Sequence, residues 1–133
     1  MPFAGGAAEQ LTEGGGLVAY ESTDGTTLFY TKASSGPLFA KAISGGPERQ
    51  LLDWITIRSF FPVEDGIYYV GRPNEKGQYP LEFFRFSSQK SEVLANIDGT
   101  VSNGLSVSPD RATVLFTKIA ASGANLVIIE NFR

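Results

Sequence analysis

The chain has 133 residues, a formal net charge of −3, 42% hydrophobic and 19% charged residues, and neither cysteine nor histidine. That length is one ordinary domain with enough chain to bury a core. Without cysteine or histidine there is no disulfide framework, no thiol nucleophile, no Ser-His arrangement and none of the commonest metal ligands, and mild acidity without a basic stripe excludes nucleic acid as a main partner.

The start, MPFAGGAAEQL, lacks the basic and apolar regions of a secretory signal. No run reaches the ~18 apolar residues of a membrane span. The expectation is a cytoplasmic product with no membrane partner. Helix signals are nearly absent. Short runs rich in β-branched and aromatic residues, bounded by turn chemistry, predict strands instead. In chain order they fall at 17–21, 27–32, 38–43 and 48–52, then 59–63, 67–71, 81–86 and 92–97, then 104–108, 113–118 and 125–130. LLDWITI, 51–57, is the one segment that tempts a helix reading, but its β-branched Ile55, Thr56 and Ile57 favour a strand end followed by a loop.

Asp24-Gly25, Asp65-Gly66 and Asp110 stand in matching turn-then-strand units, 41 and 45 residues apart. That spacing is the ~40–45 residue period of a four-stranded propeller blade. With strands A to D counted outward, the all-β chain divides into blade 1 (16–53), blade 2 (57–98) and blade 3 (103–133), which has no strand D. The stretch GGAAEQLT, 5–12, shares a frame with GGPERQLL, 45–52: Gly5, Gly6, Gln10 and Leu11 match Gly45, Gly46, Gln50 and Leu51. Residues 5–12 therefore read as a strand D belonging to a neighbouring blade.

LSVSPDRATVLFTK followed by NLVIIENF resembles the repeat of TolB-like bacterial propellers, relatives of WD-type repeats, and the likeness covers roughly 5–133. Ser108, Pro109 and Asp110 match the family's Ser-Pro-Asp-Gly turn; Arg111 replaces the glycine. Blades 1 and 2 keep the Asp-Gly and lack the Ser-Pro. The resemblance implies a six-bladed propeller. Three blades cannot close a ring, whereas two copies give six, within the usual 4–8. The expected assembly is a homodimer in which Glu9, Gln10, Leu11 and Thr12 of one copy pair with Asn125, Leu126, Val127, Ile128 and Ile129 of the other. A C-terminal piece of a longer propeller is the competing account.

Asp24, Asp65 and Asp110 read as turn-stabilising residues rather than metal ligands. Ser106, Ser108 and Ser122 have no base to activate them. The glycine-rich 14–16 and 44–47 neither follow a strand nor open a helix, so they are turns and not phosphate loops. No catalytic residue, metal or cofactor is expected. The D-to-A and B-to-C loops open on one face of a propeller. There Asp53, Trp54, Arg58, Arg72, Asn74, Glu75, Tyr79 and Asn103 form the candidate patch for a protein or small-molecule ligand. The functional expectation is a non-enzymatic binding module; the alternatives are a hydrolase or lactonase-like propeller using a metal or carboxylates in its channel, or a truncated fragment.

Overall fold

The computed structural model describes residues 18–120 and 123–130. These residues hold eleven strands: β1 Val18–Glu21, β2 Thr27–Thr31, β3 Gly36–Ala42, β4 Arg49–Ile55, β5 Phe60–Pro62, β6 Gly66–Val70, β7 Tyr79–Arg85, β8 Lys90–Ile97, β9 Thr100–Val107, β10 Thr113–Ala120 and β11 Gly123–Glu130. A single-turn 3-10 helix, Thr56–Arg58, joins β4 to β5. The strands form three antiparallel meanders with orders β1-β2-β3-β4, β5-β6-β7-β8 and β9-β10-β11. These are the blades the sequence period predicts. The predicted strand D at 5–12 lies outside the described residues. Among those residues no strand pairs with the outer edge of β11.

The first strands of the three sheets lie together, β1 beside β5 and β5 beside β9. The blades therefore radiate from the A strands. Each core lies between two blades, which is why the middle strands read as almost continuously apolar. Between blades 1 and 2 pack Phe29, Leu38, Ala40 and Ile55 against Phe60, Ile67, Tyr69 and Phe84. Between blades 2 and 3 pack Tyr68, Val70, Leu81 and Phe83 against Leu105, Val107, Val114 and Phe116. Alternation along each strand gives every blade a forward face toward its successor and a rear face toward its predecessor.

The A-to-B turns explain the period and correct one alignment. In blade 1, Asp24 Oδ1 accepts from Ser22 Oγ at 2.6 Å and Thr26 N at 3.1 Å, and Ser22 Oγ accepts from Thr27 N at 3.0 Å. Blade 3 repeats this set with Ser108, Asp110, Ala112 and Thr113, at 2.6, 3.0 and 3.1 Å. Both turns also close through a backbone bond, Ser22 N to Thr27 O at 2.8 Å and Ser108 N to Thr113 O at 2.9 Å. In blade 2 the closing bond is Val63 N to Gly66 O, 2.8 Å. That hairpin is two residues shorter, and Gly66 is already in the strand. Asp65 is thus not the counterpart of Asp24 and Asp110, and Arg111 and Arg85 pair with it instead.

Candidate functional site

Trp54 and Asp53 belong to β4, not to the loop after it as the sequence suggested. Gly36 pairs with Ile55, so β4 runs on to that residue. Trp54 Nε1 donates to Thr56 Oγ1 at 2.8 Å, and Thr56 Oγ1 donates to the carbonyl of Gly71 at 2.7 Å. This relay fastens the D-to-A connection to the end of β6. It also brings Arg72 over the indole, with the guanidinium carbon 4.2 Å from the ring centroid, a cation-π contact.

Between β4 and the rear face of blade 2 lies a groove of about 350 Å³ whose lining includes Asp53, Trp54, Arg72, Tyr69, Glu82 and Ser91. Tyr69 and Glu82 are cross-strand partners. The Tyr69 hydroxyl donates to Ser91 Oγ at 2.7 Å. Burial pushes that hydroxyl up to about 12. Burial also raises the Glu82 carboxyl above its ordinary value, with the Tyr69 hydroxyl acting the other way. Gly71 makes room for this carboxylate: a Cβ at position 71 would overlap Glu82 Oε2. The groove thus offers an aromatic wall, a guanidinium and two carboxylates, a lining suited to a small polar ligand.

The structure places Asp53, Trp54 and Arg72 along one groove and sets the other candidate residues apart from it. Asn74 is committed to its own loop: its Oδ1 accepts from Lys76 N at 2.9 Å and Gln78 N at 3.0 Å, while Gly77 takes the left-handed conformation at φ 76°. Glu75 is exposed in the same loop. Tyr79 is not in a loop; it is the first residue of β7 and packs on the core between blades 2 and 3. Asn103 lies within β9. Arg58 stands beside the inner strands in the 3-10 turn, away from the groove lining. It follows Ile57 in left-handed backbone, φ 45° and then 55°, and its buried Nε has no hydrogen-bond partner. Ile57 N donates to Ser35 Oγ at 2.8 Å and Ser59 Oγ to the Ser102 carbonyl at 3.1 Å, which hold that turn in place.

Sequence reasoning missed Tyr69, Glu82 and Ser91. One signal was present. Glu82 is the lone charge between Leu81 and Phe84 in an otherwise apolar run. Among the described residues no group of three or more acidic side chains is placed to hold a metal ion. No helix among them is long and apolar enough to cross a membrane.

A scan against protein-family models finds no match, and comparison with curated proteins finds none either. Among solved structures the chain is similar to a chain of the crystal structure of a nidogen/laminin complex, a β-propeller-containing structure, with a TM-score of 0.56 and 17% identity. The likeness covers 82% of this chain and 46% of that one. It is a likeness of fold, and this chain spans less than half the length of the chain it matches.

Proposed function

We propose that the chain is a non-enzymatic binding module, three blades of a TolB-like propeller that a second copy completes to six. The observation that carries the binding role is the groove in which Asp53, Trp54 and Arg72 converge with Tyr69 and Glu82. The TolB-like relation is supported by the Ser108-Pro109-Asp110 turn and its bonds. Closure by a second copy is supported by the unpaired outer edge of β11 among the described residues, since such edges pair with another strand when one is available.

Trp54 is the only tryptophan of the chain, so its emission reports on the groove. Titration with a panel of mono- and disaccharides, amino acids and short peptides is expected to give a saturable change with at least one class. Arg72→Ala should abolish that change. A flat response across the panel overturns the binding reading. Turnover of a lactone or ester panel that disappears in Glu82→Gln overturns the non-enzymatic one. For closure, the expected solution mass is twice the 14.3 kDa of one chain.

A further inference from the structure

One cross-strand pair recurs on the forward face of every blade. In blade 1 it is Phe29 opposite Ala40, in blade 2 Tyr68 opposite Phe83, and in blade 3 Leu115 opposite Ile128. The first two pairs are sealed by the next blade. Phe29 and Ala40 are 3% and 0% exposed under Ile67 and Phe84, and Tyr68 and Phe83 are 2% and 3% exposed against Val114 and Phe116. The third pair is open: Leu115 is half-buried and Ile128 is 57% exposed. A residue type and position that the fold buries twice is left in water once.

The rear faces complete the count. Blade 2 covers blade 1 with Ile67 and Phe84, and blade 3 covers blade 2 with Val114 and Phe116. Among the described blades, the rear face left over is that of blade 1. There Leu28 stands opposite Lys41, and Tyr30 opposite Phe39. Leu28, Phe39 and Lys41 are each half-buried, while Tyr30 between them is buried already in the single chain. Tyr30 and Phe39 are stacked with centroids 5.9 Å apart, and Lys32 sits 4.5 Å over Phe39 while pairing with Glu48 at 2.7 Å. This face has the apolar centre and charged rim of a protein interface.

We infer that the forward face of blade 3, centred on Leu115 and Ile128, docks on the rear face of blade 1 of a second copy, centred on Leu28 and Phe39. The contact rests on the closure proposed above and deepens it. Closure by edge pairing calls for a strand beside β11, whereas this contact is a layer of side chains that repeats the two inter-blade cores. It is head to tail, so two identical contacts relate two copies in a ring. Lys41 then lies at the edge of the Ile128 site.

The test uses the intact chain and its mass in solution by light scattering. Ile128→Lys places an ammonium in the contact and faces Lys41. Because Ile128 is exposed in the single chain, this variant should keep the wild-type circular dichroism and Trp54 emission. It is expected to weaken the dimer on the order of 30-fold or more, as loss of a central apolar anchor does. Adding Lys41→Glu in the same chain should recover most of that loss, because in a head-to-tail contact both substitutions meet at each interface. A wild-type dimer indifferent to Ile128→Lys overturns this contact while leaving closure through the β11 edge intact. A wild-type chain that stays at 14.3 kDa overturns both. A double variant no better than Ile128→Lys alone shows that Lys41 does not face Ile128 and overturns the assigned mate.

Discussion

Arg111 Nη1 donates to Asp65 Oδ1 at 2.6 Å across the boundary between blades 2 and 3. Arg111 Nε also donates to the Tyr68 hydroxyl at 3.1 Å, and the guanidinium lies 5.2 Å from the centroid of Phe83. The residue occupies left-handed backbone at φ 62°, where the related turn of blade 1 has Gly25 at φ 74°. A non-glycine there costs about 1–2 kcal/mol. The side chain offsets that cost with a partly exposed ion pair and cation-π contacts, each of about 0.5–1 kcal/mol.

Two substitutions at this position separate those effects. Arg111→Gly removes both strain and contacts, so its stability should lie within about 1 kcal/mol of wild type. Arg111→Ala keeps the strain and loses the contacts, so it should be less stable by about 1–2 kcal/mol. Chemical denaturation measures both. An alanine variant as stable as the glycine variant would contradict the account.

Gly71 and Glu82 should be coupled. Gly71→Ala pushes its Cβ onto the Glu82 carboxylate and should cost about 1–3 kcal/mol, the usual range for overpacking. Removing the obstacle with Glu82→Ala should recover at least about 1 kcal/mol of that loss in a double-mutant cycle. Additive losses would show that the backbone at 71, not the carboxylate, sets the restriction.

Two carboxylates should respond to pH with opposite sign. Hydrogen bonds from Ser22 and Thr26 hold Asp24 down at about 2, from 3.8. Its contribution is therefore present above the unfolded value and is lost as pH falls from about 4 through 2. Asp24→Asn should flatten that part of the stability profile, and carboxyl-carbon NMR should place the Asp24 midpoint near 2. Glu82 is raised by burial. Its ionised form is the costly one in the fold, so stability should rise as pH falls through its folded value. Glu82→Gln should match or exceed wild type at pH 7, and the gap should close once wild-type Glu82 is protonated. A Gln variant weaker than wild type at pH 7 would rule this out.

The strands were legible because the chain marks them locally. TLFYT, IYYV and TVLFT are β-branched and aromatic runs between turns, and all three appear as middle strands. The groove was only half legible. Trp54 and Arg72 could be brought near one another from loop order alone. Glu82 and Tyr69 could not, because what makes them a site is the sheet that stands opposite. Asp65 was misread for a related reason. Its Asp-Gly dipeptide is the same as that of Asp24, but hairpin length and the reach of Arg111 decide its partner, and neither is written in the dipeptide.

The shortened turn of blade 2 also bears on where its charge is paired. The Ser22–Asp24 and Ser108–Asp110 turns satisfy their carboxylates within five residues, so those hairpins can close as soon as they are made. Asp65 reaches its strongest partner 46 residues downstream. The middle hairpin closes through its own Val63–Gly66 backbone bond, but the Asp65 carboxylate gains its shorter ion pair only where blade 3 packs against it. Blade 2 thus carries, in Asp65, a charge whose shorter ion pair belongs to the seam with its neighbour and not to its own turn.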